Sequence, residues 1–176
     1  MKKNAFAACA FLLIAAGLVA FTVQKPAVAP VAPTLKWYTW EEAAELNKTT
    51  PKKIFVDVYT DWCGWCKEMD RTTYQHDKLS KYINEKYYAV KLNAESREDI
   101  IFNKKNYTCA QFAEYLLYGR MSYPTTVFLS SLDARPAPLA GYLKAKEMEA
   151  PLKYFGEGAF KSQTFVEFNK IMKNEW

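Results

Sequence analysis

A short run of β-branched, apolar and aromatic residues, Lys53 to Tyr59, leads through Thr60 and Asp61 into Trp62-Cys63-Gly64-Trp65-Cys66-Lys67. The run reads as a buried strand interrupted only by Asp57, and the residues from Cys63 to about Arg71 suit a helix. Two cysteines three apart at a strand-to-helix junction stand close enough to close a small disulfide ring. At a helix start the unpaired amide donors and the helix dipole favour a thiolate, the form that attacks disulfides. Cys63 is therefore expected to attack and Cys66 to resolve.

The same spacing also serves zinc sites, haem attachment and static disulfides. Zinc requires two further ligands, and beyond the N-terminal segment only Cys109 and His76 remain, in no paired spacing. Haem attachment requires His after the second cysteine, where this chain has Lys67. No metal is expected, and no cofactor beyond a redox-active Cys63-Cys66 disulfide. A purely structural disulfide stays open as an alternative.

Around this motif the chain alternates helical and strand patterns. Thr39 and Glu42 form a capping box for a helix that stops by Pro51. Asp77 to Lys86 reads as a helix and Tyr87 to Leu92 as the next strand, an order that favours parallel pairing with the first. Ile100 to Phe102 and Tyr107-Thr108 flank the polar turn Asn103 to Asn106, which predicts a small hairpin. Thr108 and Gln111 make another capping box, for a helix that Gly119 closes. Thr125 to Leu129 and Leu139 to Leu143 read as a hairpin. Helical segments follow at Lys144 to Phe155, with Pro151 as a kink or boundary, and at Ser162 to Asn174. Cys109 shares a helix face with Phe112 and Leu116, which reads as core packing, and His76 reads as a surface residue before a helix.

Lys2 and Lys3 precede a run from Ala5 to Val23 that is apolar apart from Thr22, the pattern of an export signal. The run is also about long enough to span a bilayer, so residues 1–23 read as a signal peptide or an N-terminal membrane anchor. Pro26, Pro30 and Pro33 among Ala and Val make residues 24–34 an extended linker. The folded domain is expected over 35–176, one compact unit rich enough in apolar residues, half of the chain, to bury a core. The net charge is +5, but the targeting segment and its border hold three lysines and no acid, so the rest carries only +2. Acids and bases are interspersed there, which excludes nucleic acid as a partner.

Val56-Asp57-Val58-Tyr59-Thr60-Asp61-Trp62-Cys63-Gly64-Trp65-Cys66-Lys67 resembles the strand, turn and active-site helix of the thioredoxin family. Lys91-Leu92-Asn93 resembles that family's next strand, and Tyr123-Pro124-Thr125-Thr126 the loop whose proline is cis and faces the cysteines. The resemblance covers about Lys53 to Leu143. It implies an α/β thioredoxin fold: a central mixed sheet flanked by helices, here with a small hairpin insert and an extra C-terminal helix. It implies that Asp57 is the buried general base or acid for Cys66 and that Lys91 pairs with it across adjacent strands. It places the Tyr123 backbone beside the sulfurs, where an extended substrate pairs as an added strand. Trp62, Gly64, Trp65, Tyr123 and Pro124 then form the substrate contacts.

On this reading the protein is an exported thiol–disulfide oxidoreductase whose partners are cysteine-containing proteins of the envelope or secreted pool, recharged by a membrane thiol reductase. It touches the membrane only through an N-terminal anchor. Reduction is preferred over oxidation, although Gly-Trp between the cysteines departs from the Gly-Pro of thioredoxin itself. The alternative is a redox-inactive thioredoxin-like module that binds partner polypeptides through the Pro124 groove.

Overall fold

Alternation along one strand organises the molecule. In β2 (Lys53–Tyr59), Ile54, Val56 and Val58 point to one side while Phe55 and Asp57 point to the other, and all five are buried. The strand is buried on both faces because it lies at the centre of a five-stranded sheet. The computed structural model describes residues 34–176, so the signal, anchor and linker readings, apart from Thr34, lie outside the described residues.

The sheet runs β1-β3-β2-β6-β7, with β1 (Trp37–Tyr38), β3 (Tyr87–Asn93) and β2 parallel, and β6 (Thr125–Leu129) and β7 (Ala137–Ala140) antiparallel. This is the mixed sheet of the thioredoxin fold. On the Ile54-Val56-Val58 side lie α1 (Trp40–Thr49) and α4 (Cys109–Leu116), which bring Trp40, Ala43, Phe112 and Leu116 into the core. Trp40 and Phe112 meet edge to face, 4.6 Å between ring centroids. On the Phe55 side lie α2 (Gly64–Arg71), α3 (Asp77–Lys86) and α5 (Ala145–Gly156), contributing Met69, Leu79, Ile83, Met148 and Leu152. Asp57 thus belongs to the face that α2 covers.

Both expected capping boxes form, Thr39 with Glu42 and Thr108 with Gln111. The hairpin insert is β4 (Asp99–Phe102) with β5 (Lys105–Thr108), joined by two residues rather than four. Asn103 and Lys104 both take positive φ, 51° and 62°, the backbone a tight two-residue hairpin turn requires.

Three expected segments differ. The strand expected at Leu139 to Leu143 is β7, Ala137–Ala140, which starts earlier because Pro138 is tolerated on an edge strand opposite Val127. It stops at Gly141, whose φ of 102° turns the chain and whose N–H donates to the Pro124 carbonyl. Pro151 is no boundary, because α5 continues past it while Met148 and Leu152 pack into the core on either side. The helix expected at Ser162 to Asn174 is shorter, α6 (Phe165–Ile171), preceded by a 3-10 turn at Ala159–Lys161. The chain leaves α6 in extended form at Met172, and the buried Glu149 carboxylate accepts the main-chain N–H groups of Glu175 and Trp176. That tail also half-covers His76, whose ring lies 6.4 Å from that of Trp176, so the expected surface histidine is partly buried.

Candidate active site

β2 ends at Tyr59, and a turn closed by the Cys63 N–H donating to the Thr60 carbonyl delivers the chain into α2. Cys63 is the N-cap residue of that helix, and its sulfur accepts the Cys66 N–H at 3.0 Å. A sulfur in the N-cap position replaces the usual Ser, Thr, Asp or Asn oxygen and sits where the helix favours negative charge. Cys63 and Cys66 are joined as a disulfide, their Cα atoms 5.3 Å apart. The sulfurs are shielded, with Cys63 4% and Cys66 2% exposed.

Around them stands a rim of exposed aromatic surface. Trp62 is 67% exposed and Trp65 63%. Trp62 meets the Tyr123 ring edge to face at 5.9 Å, and its indole N–H donates to the Glu95 carboxylate at 3.0 Å. Trp65 lies against Tyr142 at 5.3 Å. The Tyr123–Pro124 peptide is cis, Pro124 is buried, and Tyr123 is half-buried. Gly64 has nothing within 4 Å of where a Cβ would stand, so the turn between the tryptophans is open.

Beneath α2 lies the charged pair. Asp57 and Lys91 are register partners on β2 and β3, and the Lys91 Nζ donates to Asp57 Oδ2 at 2.6 Å. Burial raises the Asp57 pKa above the ordinary carboxylate range, and the Lys91 charge opposes that rise. For Lys91, burial alone would lower the ammonium, but Asp57 and Asp70 outweigh it and hold it above its ordinary value. Lys91 also bonds Asp70 and lies over the rings of Trp37, Tyr59 and Tyr74, between 4.8 and 5.3 Å from their centroids. Asp70 follows Cys66 by four residues, the spacing that shares a helix face, so Lys91 links the Asp57 carboxyl to the face of α2 that carries Cys66.

The site residues expected from the sequence therefore fall in two adjoining layers, the disulfide with its aromatic rim and the ion pair under α2. Asp70, Glu95 and Tyr142 were not foreseen. The four-residue spacing from Cys66 could have flagged Asp70. Glu95 and Tyr142 sit in loops whose path the sequence does not specify.

Cys109, the free cysteine among the described residues, is buried in the α1/α4 core with its thiol against the Glu98 carbonyl at 3.2 Å. Burial pushes its pKa up, the Ser96 hydroxyl partly opposes that rise, and Glu98, Glu41 and Asp99 add to it. Such a thiol is unreactive. In reduced native protein, Cys109 is expected to alkylate at least about tenfold more slowly than Cys63 in a mass-resolved labelling time course. Equal rates would contradict the packing role.

Residues 24–156, most of the chain, match the family model Thioredox_DsbH, described as "Protein of unknown function, DUF255". The chain is 29% identical over 102 residues to the thiol:disulfide interchange protein DsbD of Neisseria meningitidis, a stretch covering 57% of this chain and 15% of that one. It spans a similarly small share, 12%, of an uncharacterized protein of Caenorhabditis elegans that is 30% identical over 97 residues, or 54% of this chain. Among solved structures, a thioredoxin-fold protein from Helicobacter pylori superposes with a TM-score of 0.57 at 19% identity, over 68% of this chain and 78% of that one. A DsbH oxidoreductase superposes with a TM-score of 0.54 at 21% identity, over 77% and 92%. At these identities the structural likeness concerns the fold.

Proposed function

The chain belongs to the Thioredox_DsbH family and has the thioredoxin fold, and from that premise we propose that it exchanges disulfides with cysteines of other exported proteins, in the reducing direction. The observation that carries the proposal is the Cys63 sulfur in the N-cap position of α2, bonded to Cys66.

In the reduced protein, the Cys63 thiolate attacks a substrate disulfide. One substrate sulfur leaves with the electron pair of the broken S–S bond, and Cys63 is left in a mixed disulfide. Cys66 then attacks Cys63, its proton passes to the Asp57 carboxylate, and the second substrate sulfur departs as thiolate. The substrate disulfide is reduced and the Cys63–Cys66 pair is oxidised, ready for recharging by a thiol donor such as a membrane reductase. The exposed Trp62 and Trp65 rings supply apolar contact to the substrate around the shielded sulfurs, and the Tyr123 main chain offers a strand-like edge.

Export is supported by the Lys2-Lys3 pair and the apolar run that follows it. No helix among the described residues is long and apolar enough to cross a membrane. We place the folded domain outside the cytoplasm, either released from its signal or held by it.

Direction is tested by titrating the Cys63–Cys66 couple of the full chain against glutathione. Related dithiols span about 150 mV, from roughly −270 mV in reducing members to about −120 mV in the strongest oxidant. The expected midpoint is below about −200 mV. A value near −120 mV would reverse the assigned direction, and a pair that never equilibrates with glutathione would remove the exchange function altogether.

A further inference from the structure

Three polar atoms on the α2 side of the sheet are buried without a hydrogen-bond partner among the described residues: Asp57 Oδ1, the Tyr74 hydroxyl and Thr126 Oγ1. They are neighbours. Asp57 and Thr126 are register partners in the β2–β6 ladder, and the Tyr74 ring lies 5.3 Å from the Lys91 ammonium that bonds Asp57. Three such groups stranded together are unusual, because buried polar atoms are almost always paired.

Tyr74 is held in place from all sides. Its N–H donates to the Met69 carbonyl and its own carbonyl accepts the Ser80 hydroxyl. Its ring packs edge to face on Trp37 at 5.0 Å and on Phe55 at 6.0 Å, and the residue is 2% exposed. The hydroxyl can therefore turn about its C–O bond, but the ring cannot leave. Asp57 has one oxygen committed to Lys91 and the other buried without a partner among the described residues.

We propose that Tyr74 is a positioning residue for Asp57. Its hydroxyl donates to Oδ1 while the carboxyl is ionised, and turns to Thr126 when the carboxyl takes up the Cys66 proton and becomes a donor itself. This deepens the exchange reading given above and rests on it for its purpose. The groups facing Asp57 are Lys91 from β3, Asp70 from α2, Tyr59 from its own strand, and Tyr74 and Thr126. Of these, Tyr59, Tyr74 and Thr126 bring hydroxyls without a formal charge, so removal of the Tyr74 hydroxyl leaves the charge balance of the site intact. A hydroxyl donating to a carboxylate favours the ionised form, so its loss shifts the carboxyl titration upward.

The test follows Asp57 directly, by carboxyl carbon NMR of the 13C-labelled full chain in oxidised and reduced states, for wild type and Tyr74→Phe. The expected result is an upward shift of the Asp57 midpoint by about half to one pH unit, a three- to tenfold change in its ionisation constant. The pH profile of exchange moves with it. In wild type, the ring carbon bearing the Tyr74 hydroxyl shows an inflection at the same midpoint, a readout that needs no variant.

An Asp57 midpoint unchanged in Tyr74→Phe, or a Tyr74 ring carbon blind to it, overturns the proposal. In that case the hydroxyl is a stranded packing group, and its removal is neutral or stabilising. The titrations do not depend on turnover. A shifted midpoint in a protein without exchange activity would sink the proposed function and keep the coupling, whereas normal exchange with an unshifted midpoint would do the reverse.

Discussion

Cys63→Ser is expected to lower turnover on a model protein disulfide by about 10³-fold or more, because the variant has no thiolate at the helix start to make the first attack. Cys66→Ser behaves differently. It keeps the attacking sulfur in the N-cap position and loses only the resolving one, so it completes the first step and accumulates a mixed disulfide that gel electrophoresis resolves without reductant. Cys63→Ser forms few such adducts. The asymmetry between the two variants distinguishes catalysis from the competing possibility that the fold holds partner polypeptides without redox chemistry. If the unsubstituted protein showed no turnover and the double substitution of Cys63 and Cys66 preserved partner capture, the binding module would be the correct description.

Asp57→Asn carries the second large effect and acts in opposite directions on activity and on stability. Loss of the proton acceptor for Cys66 slows exchange by about 10²-fold near neutral pH, within the usual range for a positioned general base. A variant within twofold of wild type across the pH range would exclude Asp57 from the reaction. For stability, burial raises the Asp57 pKa in the folded state, with Lys91 only partly opposing it. Folded protein therefore binds the Asp57 proton more tightly than the unfolded chain does. The stability this provides is fully present below the unfolded value of about 4, and is lost as pH rises through the higher folded value. Asn at this position carries no such dependence. Asp57→Asn is accordingly expected to gain stability relative to wild type as pH rises, with Lys91 still paired to Asp70. Thermal melts of both proteins at acidic and neutral pH check the sign, and a difference that shrinks toward neutral pH would show that the pair with Lys91 outweighs burial.

The two effects belong together. A site that moves protons keeps a buried carboxyl at an energetic cost that a purely structural strand would avoid. The neighbouring hydroxyls of Tyr74 and Thr126 fit the same account, since a group that changes protonation state needs partners able to reverse their hydrogen bonds.

Much of this molecule is local and was legible in the chain. The capping boxes at Thr39 and Thr108, the buried strand Lys53–Tyr59 and the cysteine pair at the following helix start depend on residues a few positions apart. Short-range rules of backbone satisfaction and alternation therefore suffice for them. Asp57 stood out because a carboxylate in a fully buried run is anomalous wherever the strand lies. The segments that departed from expectation were each settled by a distant partner. β7 ends where Gly141 reaches the Pro124 carbonyl, α5 survives Pro151 because its neighbours pack on the sheet, and the chain after α6 is drawn out by Glu149. The union of Tyr74, Thr126 and Asp57 in one buried cluster, and of Trp65 with Tyr142 above it, is likewise beyond sequence reading. Contacts between residues far apart in the chain exist only once the sheet register and the helix packing have closed, and neither periodicity nor capping carries that information.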